Sequence, residues 1–391
     1  MKNANYFKLK GDGLKVKNLS IRQILATNCK ETIEVELETQ KGVVRASVPM
    51  GTSKGKYEVH YLPVFQVIKI FSEFKKNFVN KEFNSQEEVD LKLRDLDKTP
   101  NFGMIGGNLA LATSSVFLKA FALENDQEVF EYLHGKHMPK PLSNVAGGWG
   151  EESEIQEFLL LPEKQKSYKE VAFRIASAYL DLGGMLKQED KTFKYSKNYE
   201  SGWVTGLPTR RLLELISDVC KEHDLRIGMD IAASDRWDGN TYLGRNLEEY
   251  KKYITSLIED FKILFIEDPF HQDDFDSFAW LTKSFKNSII CGDDLYATNP
   301  DRLNIGIEKK ATNAVLIKPN QIGTITDTMN VIKMAKKQKM VTVMSHRSGT
   351  TDENLLCHLA VGLNCDLSKF GISGERVIMI NELLRIEEKI Q

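Results

Sequence analysis

Three acids in the carboxyl-terminal two thirds of the chain carry the first chemical signal. Asp230 closes Gly228-Met229-Asp230, Glu267 stands in Ile266-Glu267-Asp268-Pro269, and Asp293 stands in Gly292-Asp293-Asp294, each after a short apolar run. Carboxylates gathered at one place repel one another and persist as a cluster only if a cation neutralises them. An all-oxygen donor set suits magnesium or manganese better than zinc. The plainer alternative is that each acid caps a helix or pairs with a nearby Lys or Arg. Two lysines belong to the same series: Lys318 follows Val315-Leu316-Ile317, and Lys369 lies near the last apolar run. Beside a metal ion an ammonium group loses affinity for its proton, which makes such a lysine a general base. Its plainer alternative is a salt bridge to the acids. The turn Ser345-His346-Arg347-Ser348-Gly349 adds a guanidinium fork and hydroxyls suited to an oxyanion such as phosphate.

The spacing of these residues implies the elements that must hold them. Asp230, Glu267, Asp293, Lys318, His346 and Lys369 are 37, 26, 25, 28 and 23 residues apart, each interval accommodating one strand, one helix and their loops. Short apolar strands are expected at 157–161, 226–234, 264–269, 288–295, 314–321, 341–346 and 369–373. Such a period implies a closed parallel βα barrel, in which every strand's carboxyl end converges on one mouth. Before residue 130 the pattern differs. Thr32 to Leu37 and Val43 to Val48 alternate on either side of Gln40-Lys41-Gly42, a hairpin signal. Helical spacing follows at 64–79, 85–96 and 109–121. An α+β unit over 1–134 and a barrel over 135–391 are therefore expected, with the boundary in the proline-containing stretch from Gly135 to Pro141.

Composition narrows the function classes. The chain has 391 residues with 53 Lys and Arg against 55 Asp and Glu, a net charge of −2 that lacks the basic footprint of a dedicated nucleic-acid binder. No run approaches the roughly 20 apolar residues of a membrane span. The stretch Met1 to Ser20 offers no signal-peptide core, so the expected location is the cytoplasm. Five widely spaced cysteines fit free thiols in a reducing compartment.

The motifs together resemble the enolase (phosphopyruvate hydratase) family. Gly228-Met229-Asp230-Ile231-Ala232-Ala233-Ser234, Ile266-Glu267-Asp268-Pro269-Phe270, Gly292-Asp293-Asp294-Leu295, Leu316-Ile317-Lys318-Pro319-Asn320-Gln321-Ile322-Gly323 and Ser345-His346-Arg347-Ser348-Gly349 resemble five consecutive family motifs in order. The ending Asn381-Glu382-Leu383-Leu384-Arg385-Ile386-Glu387-Glu388 and the stretch Pro49 to Glu58 resemble the family as well. The resemblance implies an amino-terminal α+β domain followed by an enolase-type (β/α)8 barrel. It also implies a magnesium-dependent lyase interconverting 2-phosphoglycerate and phosphoenolpyruvate in glycolysis, and a homodimer. Asp230, Glu267 and Asp293 would hold one magnesium, and Ser53 would reach a second that depends on substrate. Lys318 would be the base at carbon two, Glu200 the acid for the departing hydroxyl, and Glu157, after Gln156, its partner at the substrate. Lys369 would neutralise developing charge, while Arg347 and Ser348 would hold the phosphate with His346 beside them.

Several stretches depart from the family pattern. The loop Gly147-Gly148-Trp149-Gly150-Glu151-Glu152-Ser153-Glu154 is short, has no histidine and carries acids, which as a charge run are expected to face solvent. Thr27-Asn28-Cys29-Lys30-Glu31 replaces another family stretch, and a segment after Glu58 is missing. The loop after Lys369 is contracted and has lost a proline and an arginine. Tyr199 and Ser201 replace an acid and a glycine beside Glu200. Three functions stay open on this basis: a working hydratase with rebuilt lids, an enzyme of the same fold on another carboxylate, and a low-activity enolase-like binding protein. Glu157-Phe158-Leu159-Leu160 contains no Lys-x-Lys pair, which argues against racemase or cycloisomerase chemistry.

Overall fold

The computed structural model describes residues 13–51, 55–148 and 154–391. In chain order they form strands β1 (Leu14–Lys15), β2 (Asn18–Leu25), β3 (Glu31–Glu38) and β4 (Val43–Ser47), helix α1 (Val64–Phe74), strand β5 (Glu82–Phe83), and helices α2 (Gln86–Asp97), α3 (Gly107–Glu124) and α4 (Val129–Tyr132). Strands β6 (Lys140–Ala146) and β7 (Glu157–Leu161) precede helices α5 (Tyr168–Glu189) and α6 (Thr209–Glu222). Strand then alternates with helix: β8 (Arg226–Asp230), α7 (Leu247–Phe261), β9 (Phe265–Glu267), α8 (Phe275–Ser284), β10 (Ile289–Gly292), α9 (Pro300–Lys309), β11 (Ala314–Ile317), α10 (Pro319–Ile322), α11 (Ile325–Lys337), β12 (Val341–Ser345), α12 (Leu355–Gly362), β13 (Leu367–Lys369) and α13 (Val377–Ile390). Two compact units result. One comprises Met1–His137, Ile317–Lys333 and His346–Asn364; the other comprises Met138–Leu316, Met334–Ser345 and Cys365–Gln391.

In the first unit the expected hairpin forms. β3 and β4 pair antiparallel, Glu38 opposite Val43, and β2 adds on the far edge of β3. The alternating text of β3 sends Ile33, Val35 and Leu37 to the buried face. Helix α3 packs on that sheet and is buried nearly all round, which is why its Ala-, Leu- and Ser-rich sequence shows no single apolar stripe. Helix α2 starts where Ser85 accepts a hydrogen bond from the Glu88 N–H, an N-cap worth about 1 kcal/mol.

The second unit is built on a closed barrel of eight strands in the order β6, β7, β8, β9, β10, β11, β12, β13. Its lower interior is filled by Leu142, Leu159, Leu161, Phe265, Cys291, Leu316, Val343 and Leu367, all buried. Each of the leucine, phenylalanine and valine side chains stabilises the fold by roughly 1.5–3 kcal/mol through removal of apolar surface from water. Two features correct the expected parallel barrel. Strand β6, with Pro141, Ser143 and Asn144 in its sequence, is a full member although those residue types read as turn-forming. Strand β7 runs antiparallel to both of its neighbours, Glu157 standing opposite Asp230 and Leu161 opposite Arg226.

That reversal dictates the next connection. β7 ends where β8 begins, at the end of the barrel away from the mouth, so the chain must travel up and back between them. Helix α5 makes one pass and α6 the other. The turn joining them is tied to the mouth end of β6, because Gly147 N–H donates to Trp203 O at 3.0 Å and Trp203 N–H donates to Val145 O at 3.0 Å. A third correction concerns the last strand. It covers 367–369, so that Lys369 ends the strand, and 370–373 form the loop after it.

Candidate active site

The barrel delivers carboxylates to its mouth from both strand directions. Asp230 and Glu267 are the last residues of the parallel strands β8 and β9, whereas Glu157 is the first residue of the reversed β7. All three are buried. Lys369, the last residue of β13, projects among them: its Nζ lies 2.8 Å from Asp230 Oδ2, 2.7 Å from Glu267 Oε2 and 2.8 Å from Glu157 Oε2. A lysine ammonium thus faces these acids. Burial works against that charge, yet Asp230, Glu157 and Glu267 hold the Lys369 pKa well above the ordinary lysine value. Burial pushes the Glu157 carboxyl up, Asp230 and Glu200 adding to the shift while Lys369 opposes it.

Asp293 stands beyond the end of β10 in a second acidic group with Asp268 and Asp294, whose carboxylate oxygens lie within 4.8 Å of one another. Asp268 organises this group. Its two carboxylate oxygens accept from the Asp293 N–H at 3.0 Å and the Asp294 N–H at 2.8 Å, and its backbone adopts a left-handed φ of 42°. Burial, with Asp294, Asp293 and Asp230 nearby, raises the Asp268 pKa well above the usual carboxylate range. Sequence reasoning gave Asp268 no role. Its adjacency to Glu267 was the available signal. The donor set as a whole, buried and entirely of oxygen, fits a hard divalent cation.

Glu200 lies on the turn between α5 and α6. Asn198 Oδ1 accepts from the Glu200 and Gly202 N–H groups at 3.0 and 2.9 Å, closing a tight loop in which Ser201 takes a φ of 61°. A glycine adopts that conformation without strain, so the serine stands where the backbone favours glycine, the residue that the family resemblance implies there. Glu200 Oε2 lies 3.1 Å from Nη2 of Arg376, whose side chain is fully buried. Arg376 also escaped sequence reasoning. Gln156 is half-buried and donates its N–H to Asp230 O at 3.0 Å, fixing the start of β7 against β8. The acidic loop is not wholly solvated as expected. Glu154 accepts from Arg245 at 2.9 Å and from the Tyr253 hydroxyl at 2.7 Å, while Glu151 and Glu152 fall outside the described residues.

In the other unit, Lys318 directly follows β11 and precedes Pro319, the first residue of α10. His346 and Arg347, both buried, and Ser348 directly follow β12. Arg347 Nη1 is 2.7 Å from Glu58 Oε1, an ion pair with both side chains largely buried. The same Glu58 oxygen accepts from the Gly55 N–H at 3.1 Å, so the guanidinium is held by the segment that resembles the family's serine-containing loop. Ser53 of that segment lies outside the described residues.

Comparison with known proteins agrees with this architecture over nearly the whole chain. The family model described as "Enolase, N-terminal domain" matches residues 16–133, and "Enolase, C-terminal TIM barrel domain" matches residues 135–391. Proteins named enolase from Archaeoglobus fulgidus, Methanosphaera stadtmanae and Picrophilus torridus are 37%, 35% and 36% identical. Those alignments cover 95%, 96% and 96% of this chain and 97%, 97% and 99% of the relatives. A barrel with one reversed strand, acids at its mouth and both domain models matched in succession leaves one conclusion: the chain belongs to the enolase family.

Proposed function

We infer that the chain is a phosphopyruvate hydratase, a carbon–oxygen lyase that interconverts 2-phosphoglycerate and phosphoenolpyruvate. The observation that carries this reading is the ring of Asp230, Glu267 and Glu157 around Lys369 at the barrel mouth. A proton α to a carboxylate is very weakly acidic, and its removal concentrates negative charge in a small volume. Groups already placed to meet that charge supply most of the rate.

Each residue then has a task. Lys318 takes the proton from carbon two. Glu200 donates a proton to the hydroxyl that leaves carbon three, with Glu157 beside it and Gln156 setting the start of its strand. Acid and base each contribute about 10²–10⁴-fold. Lys369 meets the charge that develops on the substrate carboxylate. Arg347, Ser348 and His346 bind the phosphate, the Arg347 fork being fixed by Glu58. Asp230, Glu267 and Asp293 would hold one magnesium, and Ser53 a second that depends on substrate. The chemistry the ions supply when bound is positive charge against the substrate carboxylate.

The same reading places the division of the chain at 1–134 and 135–391, a split supported by the limits of the two matched family models. It further takes the protein to be a cytoplasmic homodimer acting on a small phosphorylated carboxylate, with neither nucleic acid nor membrane as partner. Among the described residues no helix is long and apolar enough to cross a membrane. The direct test follows phosphoenolpyruvate formation from 2-phosphoglycerate by ultraviolet absorbance, with and without magnesium. Magnesium-dependent product that disappears in Lys318→Ala is the expected result; no product from protein that binds magnesium would overturn the reading.

A further inference from the structure

Two stretches far apart in the sequence meet in space. The turn 197–202 holds Glu200, and the loop after Lys369 runs from 370 to 376. Lys197 Nζ lies 2.7 Å from Ser373 Oγ, and Ser201 Oγ lies 3.3 Å from Glu375 Oε2. The Tyr179 hydroxyl donates to Ser201 O at 2.9 Å and lies 3.2 Å from Ser373 Oγ. Gly374, at φ 62°, leaves no room for a β-carbon against Ser201 Oγ, and Gly371, at φ 75°, lies flat against the stem of Arg376. These contacts place Arg376 beneath the turn. There a single nitrogen, Nη2, donates to Tyr199 O at 2.9 Å and to Glu200 Oε2 at 3.1 Å.

We propose that Arg376 is the positioning residue of the elimination step: one guanidinium nitrogen fixes both the backbone of the turn and the carboxylate that protonates the leaving hydroxyl. The proposal rests on the reading of Glu200 as the acid. A fully buried cation is costly unless its partners are well placed, and here the nearer carboxylate, Glu200, is engaged together with the preceding carbonyl, while Glu375 Oε1 lies farther from the same nitrogen at 3.8 Å. A displacement of about 1 Å in a reacting group can cost about 10²-fold in rate. Removing the guanidinium is therefore expected to act on proton donation and not on proton abstraction, which depends on Lys318.

The experiment compares two readouts on full-length enzyme with magnesium: solvent deuterium exchange at carbon two of 2-phosphoglycerate, by NMR, and phosphoenolpyruvate formation. Arg376→Met is expected to slow elimination by about 10²-fold while exchange changes by less than about threefold. Arg376→Lys, which keeps one donating cation, is expected to recover most of that loss. In a Glu200→Gln background, Arg376→Met is expected to lower residual turnover by less than about threefold, because residues acting through one another are not additive. The double variant also removes the half-buried Glu200 carboxylate that Arg376→Met alone would deprive of this cation, so it tests the proposal even if the single variant does not fold. Equal loss of exchange and elimination in Arg376→Lys, or full additivity in the double variant, would overturn the proposal. Unchanged elimination in Glu200→Gln alone would instead overturn the acid assignment beneath it.

Discussion

Lys369 Nζ stands 2.8 Å from Asp230 Oδ2, within a set of buried carboxylates completed by Glu157 and Glu267. On the proposed assignment Asp230 and Glu267 also hold magnesium, so lysine and metal would together neutralise one cluster. Breaking a buried charge cluster by removing one partner typically costs about 3–5 kcal/mol. Lys369→Met is therefore expected to melt well below the parent in chelator and to recover most of the difference in millimolar magnesium, measured by calorimetry. A destabilisation that magnesium leaves untouched would count against the shared role.

Proton abstraction isolates Lys318. Lys318→Ala is expected to reduce deuterium exchange at carbon two by at least about 10²-fold, the low end for loss of a general base. Magnesium affinity, measured by calorimetric titration, should stay near that of the parent. Exchange at the parent rate would remove Lys318 from the mechanism.

Elimination isolates Glu200. Glu200→Gln keeps the shape of the side chain and one acceptor for Arg376, so exchange at carbon two is expected to persist while phosphoenolpyruvate formation falls by about 10²–10⁴-fold. Survival of both steps would mean that another group protonates the leaving hydroxyl.

Away from the site, Asp90 sets a pH dependence of stability. Burial raises its pKa from 3.8 to about 6, against hydrogen bonds from Ser114, Thr326 and Gln86. The folded state therefore holds the Asp90 proton more tightly than the unfolded chain. Its contribution is complete below about pH 3.8 and is lost as pH rises through about 6. Asp90→Asn is expected to gain on the parent between pH 4 and pH 7, by on the order of 1–3 kcal/mol. Denaturant midpoints at the two pH values check this. A constant gap between variant and parent would show that Asp90 titrates normally.

The strands that carry Asp230, Glu267, Lys318 and His346 were legible because an apolar run ended by a polar residue encodes both a buried strand and its exposed end. Strand direction left a fainter trace. In Glu157-Phe158-Leu159-Leu160-Leu161 the acid precedes the run instead of following it, which is the mark of a strand entering the mouth rather than leaving it. Strand β6 was hidden because burial among its neighbours overrides the turn preference of Pro, Ser and Asn. The pairing of Arg376 with Glu200 spans 176 residues, and nothing in the local pattern of either stretch encodes it. The Lys369 ion pairs were visible as an alternative to a metal site. Which of the two the acids favour depends on distances that a linear sequence does not contain.

The reversal of β7 also bears on where this barrel can tolerate changes of length. β6 leaves the barrel at the rim and β7 re-enters it there, so the connection from 147 to 156 starts and finishes on the same side. A crossover between parallel strands must span the barrel's height, and a change in its length displaces a helix. A rim-to-rim connection carries no such requirement, and each doubling of loop length costs only about 0.6 kcal/mol in closure entropy. Insertions, deletions and exchanges of residue type can therefore accumulate between Ala146 and Glu157 without disturbing strand register. In evolutionary terms the reversed strand uncouples a stretch of the barrel rim from the scaffold that must stay folded.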